Sequence, residues 1–266
     1  MAQSPDHVHS EEWARILEHG DHFRHHRRWF RLLPSDPRCE LCLAPFSGAG
    51  GMMLRLARGI RPSRLNPRFC NDCELLGDEF PGGAETQVAM LFVDIRGSTT
   101  LAEDMTPGAF SVVIDRFYRG ATDVLIDAGA LIEKLIGDGV TAIFAPGFCG
   151  DAYVRHAVDA GRRLLAIGAD ASDRHVAVQV GVGVHAGRAF VGAVGTSGGM
   201  TTISALGDTV NVAARLGSLA GPGEMLVSDA AYAAAGFDDG HPARQLQLKG
   251  RVAPIGVRLM TASHVG

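Results

Sequence analysis

Apolar positions along the chain fall into short continuous runs and into longer stretches spaced every three or four residues, and from about residue 84 the two kinds alternate. Leu91-Phe92-Val93 and Thr141-Ala142-Ile143-Phe144 read as buried strands from their length and their β-branched or aromatic content. Between them Pro107 opens a helical pattern whose buried face is Phe110, Val113, Phe117, Val124 and Leu125, stopped by Gly129. Gly137 and Gly139 flank Asp138, which predicts a tight hairpin over Lys134–Phe144 with that carboxylate at its tip. Asp151 to Ile167 predicts a second helix, with Ala152, Ala157, Ala160, Leu164 and Ile167 inward. Val176 to His185 alternates as VAVQVGVGVH and predicts a strand, with glycines where another backbone can approach. Gly187–Gly195 reads as a turn and a short strand, and Thr201–Leu206 as another strand. Asp208 is placed to N-cap a helix from Thr209 to about Leu219. Met225–Ser228 is a short strand, Asp229–Ala235 a short helix, and the tail holds edge strands around Gln245–Lys249 and Val257–Met260. Hairpins and crossovers mixed in this way predict an α+β sandwich.

The first third follows another pattern. Residues 1–9 carry no periodicity and are expected to be disordered, while Trp13, Ile16 and Leu17 mark one face of a short helix that Gly20 ends. HFRHHRRWFRLL then interleaves Arg and His with Trp29, Phe30, Leu32 and Leu33. One reading is a basic amphipathic helix that meets a membrane surface or a partner; the other is a helix packing its aromatic side on the next module with its charges solvated. Pro81-Gly82-Gly83 reads as a linker. Three parts follow: a basic-aromatic helical segment at 1–33, a cysteine module at 34–80, and a larger domain at 84–266.

Four of the five cysteines form two C-x-x-C pairs, Cys39/Cys42 and Cys70/Cys73, about 27 residues apart. Each pair places two sulfurs on one knuckle, and two knuckles complete a tetrahedral zinc site that staples a segment with few large apolar residues. An iron–sulfur cluster and a thiol redox switch also suit the pattern. Arg55, Arg58, Arg61, Arg64 and Arg68 recur between the pairs, as a nucleic-acid or phospholipid patch or as a solvated positive face. The chain's net charge of −4 argues against bulk nucleic-acid binding. No apolar run approaches the ~18 residues that span a bilayer, and there is no signal-peptide core, so the cytoplasm is the expected compartment.

LFVDIRGST ends an apolar run in Asp94 and turns through Gly97 into Ser98 and Thr99. Together with Asp138 it offers two carboxylates at the ends of central strands beside a Gly/Ser/Thr turn, which suits a divalent cation holding phosphates. FVDIRGST, KLIGDG, LGDTVNVAARL and the LKG at Lys249 occur in one order and spacing. In these residues the chain from about 86 onward resembles the catalytic domain of class III nucleotide cyclases, the adenylate and guanylate cyclases. The resemblance implies the ferredoxin-like cyclase sandwich, active as a head-to-tail homodimer with its nucleotide sites at the interface. It implies Asp94 and Asp138, with the backbone carbonyl of Ile95, as ligands of two Mg²⁺ or Mn²⁺ ions. Gly97, Ser98, Thr99 and Lys249 would face the phosphates, Asn211 the ribose, and Arg215 the transition state. Lys134 matches the lysine that reads adenine, where guanylate cyclases have glutamate, and Ser204 stands where a partner for the exocyclic amine is expected. On an extended strand Lys134 and Asp138 share a face and Glu133 points the other way. His185 reads as a core histidine and Cys149 as an ordinary thiol.

The resulting expectation is an adenylate cyclase that forms 3′,5′-cyclic AMP and pyrophosphate from ATP, with the zinc module tuning the dimer or holding a regulatory partner. The alternatives are a guanylate cyclase, or a nucleotide-binding regulatory module whose zinc-and-arginine segment works on nucleic acid or membrane.

Overall fold

The computed structural model describes residues 9–34, 37–63, 68–74, 82–169, 178–195, 201–238 and 240–261. The expectation of disorder at 1–9 lies outside them for residues 1–8, as does the periodic arginine at Arg64. By contact the chain divides into two units: 1–86 with 145–150 and 189–206, and 87–144 with 151–188 and 207–266.

The second unit carries the mixed sheet. Its strands are the inner part of β1 (Gly82–Ile95), β2 (Leu131–Ile136), β3 (Gly139–Phe144), the first part of β4 (Val180–Gly195), β6 (Glu224–Ser228), β7 (Ala243–Leu246) and β8 (Ile255–Thr261), in the order β2-β3-β1-β4-β6-β8-β7. β3 runs antiparallel to β1 and β2, β6 runs parallel to β4, and β8 runs antiparallel to β6 and β7. Helices cover both faces, and the alternation of β4 shows why. A Cβ on Gly161, in the helix Tyr153–Ala169, would meet Val182 and Met225; one on Gly183 would overlap the Gly217 backbone in the helix Asp208–Leu219. Val182 and Gly183 point to opposite faces, and each face receives a helix.

The helix over Pro107–Asp127 forms as predicted, with Thr106 accepting from the Ala109 amide at its start and Phe117, Ala121, Val124 and Leu125 buried. Phe110 and Val113, expected in that face, are only half-buried. The Gly97-Ser98-Thr99 turn leads, as its residues suggest, into a helix, a short one over Ser98–Glu103. Glycine-rich stretches account for two differences. β1 begins at Gly82 rather than after a linker, and β4 is one strand of 16 residues where a turn was expected at Gly187. In the first unit a Cβ on Gly192 would overlap the Gly82 backbone, so these glycines permit close strand approach rather than chain reversal.

The first unit also holds β5 (Thr201–Leu206), which pairs with the outer half of β4. Around the cysteines lie helices Ser10–Glu18, Asp21–Arg31 and Gly48–Arg58, and the turn of helix Pro146–Cys149. Trp13 and Leu17 are buried as the spacing predicts. Gly20, at φ 42, and Gly147 let the elbow between the first two helices approach the 146–149 turn backbone to backbone. Among the described residues no helix is long and apolar enough to cross a membrane.

Candidate active site and four-cysteine site

The ends of β1 and β3 set the acid pair. Their register places Asp94 opposite Gly139, and the Ile95 amide donates to the Asp138 carbonyl at 3.2 Å. The two carboxyls are near enough to interact: burial first, then the neighbouring Asp138, push Asp94 up to about 6, against the pull of the Arg96 guanidinium. Asp94 Oδ2 lies 3.2 Å from Arg96 Nη2, while Oδ1 is buried with no donor. An acid pair with a donorless buried oxygen fits a hard divalent cation, whose preferred ligands are carboxylate oxygens. Gly97 takes a left-handed φ of 73 and delivers Ser98 and Thr99 to the first turn of the short helix. Tyr118 Oη donates to the Gly137 carbonyl at 2.9 Å and braces the hairpin that carries Asp138.

Lys134 does not follow simple alternation. β2 carries a bulge: pairing passes from Ile132–Ala142 to Lys134–Thr141, leaving Glu133 as the extra residue. Lys134 Nζ lies 3.3 Å from Glu133 Oε1, so the expectation that Glu133 points away from Lys134 fails. The Glu133 side chain is 1% exposed and that of Lys134 43%. Ser204 belongs to the other unit and is buried on β5 opposite Gly192.

The helix Asp208–Leu219 is amphipathic. Val212, Leu216 and Ala220 enter a core with Leu226, Leu248, Val257 and Leu259, while Asn211 is exposed and Arg215 half-buried. Asp208 is its first residue rather than its N-cap; Gly207, at φ 129, holds the cap position, and the Asp208 carboxylate pairs with Arg251. Leu248 anchors the turn that presents exposed Lys249, and a Cβ on the next residue, Gly250, would lie 3.5 Å from an Arg215 guanidinium nitrogen. Asn211, Arg215 and the Lys249 turn thus share one rim. His185 is a satisfied inner histidine: Nδ1 lies 2.7 Å from Ser228 Oγ, and burial lowers its pKa to about 4.

In the first unit the Sγ atoms of Cys39, Cys42, Cys70 and Cys73 all lie within 4.8 Å of one another, and Cys42 to Cys70 measures 3.8 Å. Backbone amides of Cys70 and Cys73 donate to Cys39 Sγ and Cys70 Sγ at 3.3 and 3.4 Å. Against the effect of burial, hydrogen bonds from Cys42, Cys70 and Cys73 hold Cys39 well below the usual thiol range. Four clustered cysteine sulfurs are a donor set that a soft or borderline cation binds as thiolates. Cys149 is an inert thiol pushed up to about 11 by burial. The basic helix does not solvate all its charges: Arg27 is 4% exposed and bonded to the Leu41 carbonyl inside the first knuckle. Its aromatic side is split, with Phe23 and Phe30 buried and Trp29 58% exposed.

The family described as "Adenylate and Guanylate cyclase catalytic domain" matches residues 82–257, about two thirds of the chain. The chain belongs to this family. Among its relatives are an adenylate cyclase of Anabaena cylindrica, 31% identical over 52% of the chain and 28% of that protein, and the terminal-differentiation-specific adenylate cyclase of Dictyostelium discoideum, 33% identical over 48% and 6%. The match thus spans less than a third of these curated relatives' lengths. Among solved structures the fold is similar to the guanylyl cyclase Cya2 (TM-score 0.63, 23% identity, 67% of this chain and 93% of that one) and to the adenylyl cyclase CyaB from P. aeruginosa (0.59, 23%, 67% and 95%). The class III cyclase sandwich is therefore the fold, and the four-cysteine cluster lies before the matched region. Within this cyclase domain the acid pair and the Asn211–Arg215 helix fall where the motifs predict local elements. Arg96, Tyr118 and Arg27 were not singled out, because the carbonyls they bond are distant in sequence.

Proposed function

We propose that two copies of this chain form an adenylate cyclase that converts ATP to 3′,5′-cyclic AMP and pyrophosphate. The observation that carries this reading is the Asp94–Asp138 pair, brought together at two strand ends, with its donorless oxygen. Asp94, Asp138 and the Ile95 carbonyl would hold two Mg²⁺ or Mn²⁺ ions, which supply Lewis acidity to the ribose 3′-hydroxyl and charge neutralisation to the departing pyrophosphate. Arg215, permanently charged and forked, stabilises the charge that builds on the α-phosphate, and Asn211, one turn earlier on the same side, orients the ribose. Lys249 and the Gly97-Ser98-Thr99 turn receive the phosphates. Each chain contains both halves of the machinery. Acids from one copy therefore meet Lys134, Ser204, Asn211 and Arg215 from the other, and the homodimer has two equivalent sites.

The base assignment rests on Lys134. An ammonium donates to N1 of adenine and opposes the N1–H of guanine, while the Ser204 hydroxyl accepts from the adenine amine. Burial of the Glu133 carboxylate supports adenine, because that acid is not presented to a ligand and instead steadies the lysine.

The four cysteines are read as a structural zinc site. The edge of a tetrahedron of 2.3 Å Zn–S bonds is about 3.8 Å, which is the Cys42–Cys70 separation. A polynuclear iron–sulfur cluster would place irons and sulfides between the thiolates and spread them further apart.

The test is product analysis of the purified chain with MnATP and MnGTP side by side. Cyclic AMP with pyrophosphate is expected from ATP, and turnover should fall roughly 10³-fold in Asp94→Asn and in Arg215→Ala with unchanged circular dichroism. Full activity in Asp94→Asn refutes the metal roles; cyclic GMP as the main product replaces the base assignment. Elemental analysis should find one zinc per chain, and labile sulfide would refute zinc.

A further inference from the structure

Arg96 contacts two elements that serve different purposes. Its Nη2 lies 3.2 Å from Asp94 Oδ2 and donates to the Gly217 carbonyl at 3.1 Å; its Nη1 donates to the Ser218 carbonyl at 3.2 Å. Gly217 and Ser218 form the last turn of the helix that carries Asn211 and Arg215. Helix ends leave their carbonyls without partners, and here the chain beyond cannot supply them. Gly221 gives its amide to the Glu224 carboxylate, and Pro222 has none. A guanidinium at this negative helix end meets both the hydrogen-bonding and the dipole requirement.

The site is built for this one side chain. The Arg96 amide is fastened to the Gln179 carbonyl at 2.7 Å, and a Cβ on Gly181 would stand 2.6 Å from Arg96 Nε. The side chain is 17% exposed, and Nε is buried with no acceptor. The guanidinium is thus divided between a carboxylate and a helix end, with one donor still unsatisfied.

We propose that Arg96 is a positioning residue that transmits the state of the acid pair to the last turn of the Asn211–Arg215 helix. This rests on the metal role of Asp94 argued above. A divalent cation at the acid pair competes for Asp94 Oδ2 and repels the guanidinium, whose remaining partners are the Gly217 and Ser218 carbonyls. The grip on the helix end tightens as the grip on Asp94 loosens. In a dimer whose sites each take the acids of one copy and the helix of the other, the link runs from one site to its twin. Lysine cannot replace arginine here, because a point charge lacks the fork that reaches three acceptors.

The test uses the full chain with MnCl₂ and a non-hydrolysable ATP analogue, reading Mn²⁺ binding by electron paramagnetic resonance and amide exchange in the peptide 216–221. In the unsubstituted chain, metal and analogue should slow exchange of that peptide. Arg96→Ala should speed it at least tenfold without metal, since both charge-assisted hydrogen bonds to the helix end are lost, and should abolish the response while Mn²⁺ still binds. Arg96→Lys, which keeps the charge and the fold should alanine not fold, should also lose the response. An unresponsive peptide in the unsubstituted chain, or a normal response in Arg96→Lys, overturns the inference while leaving the metal site standing. Mn²⁺ binding that is absent, or that survives Asp94→Asn, overturns both.

Discussion

Arg27 Nη1 donates to the Leu41 carbonyl at 2.8 Å, which puts a guanidinium from the second helix inside the first cysteine knuckle. Phe148 lies below it, 5.4 Å from ring centroid to guanidinium carbon. Burial lowers the arginine's pKa, while Cys149, Cys42, Cys39 and Cys73 raise it, so the buried guanidinium sits beside the cysteine sulfurs. With a divalent ion on the four cysteines, as proposed above, the four thiolates would keep net negative charge and Arg27 would offset it.

Arg27→Ala should therefore release bound metal to a chromogenic chelator at least tenfold faster than the unsubstituted protein. Removing one member of a buried charge pair costs about 3 kcal/mol. Arg27→Met, which keeps most of the volume, should behave like alanine, and Arg27→Lys should fall between. Stopped-flow absorbance after mixing with the chelator reads the rate.

Gly183→Ala should displace the Asn211–Arg215 helix. Its new methyl would overlap the Gly217 amide nitrogen and lie 2.6 Å from the Ala213 carbonyl, and neither backbone atom can swing aside as a side-chain tip can. Overpacking of this kind costs about 3 kcal/mol. Thermal unfolding should show a lowered midpoint, and cyclase turnover should fall further than stability alone explains. Gly240→Ala, where nothing lies within 4 Å, is the neutral control.

His185 supplies a pH dependence. Its folded pKa of about 4, lowered chiefly by burial, sits below the unfolded value of about 6.5. The unfolded chain therefore binds the extra proton between those values. The neutral ring's contribution is intact above pH ~6.5 and is lost as pH falls toward ~4, by about 3 kcal/mol in total. Asp208 favours the charged form and Arg251 opposes it, so the two partly cancel. Unfolding midpoints measured from pH 7 to pH 4 should fall less steeply in His185→Gln than in the parent.

Lys134→Ala should raise the KM for ATP about tenfold and cut the preference for ATP over GTP, since a lost charge-assisted bond to a base is worth about 1.5 kcal/mol. Glu133→Gln should give a smaller loss of the same sign by freeing the ammonium from its 3.3 Å partner. Steady-state kinetics with both nucleotides decide the matter; an unchanged ratio in Lys134→Ala removes it from base recognition.

Much of the catalytic domain was legible in advance because its signals are local. The helix from Pro107 combines a capping threonine, a proline at its first position and a regular apolar stripe. The hairpin at Asp138 announces itself with a glycine on either side, and Gly137 indeed takes φ 63. Glycines misled where their purpose was contact rather than turning, as at Gly83 and Gly187. The bulge at Glu133 is a property of the pairing with β3 and leaves no mark in β2 alone. Arg27 and Arg96 were opaque for the same reason: the carbonyls they serve are 14 residues away in one case and more than 120 in the other.

The Ile95–Asp138 backbone bond has a consequence for control. It ties the two acid-bearing strand ends together at their last rung, so the backbone spacing behind the two carboxylates belongs to the sheet itself. Helices that shift over the sheet leave that spacing in place, and what they change is what meets the acids.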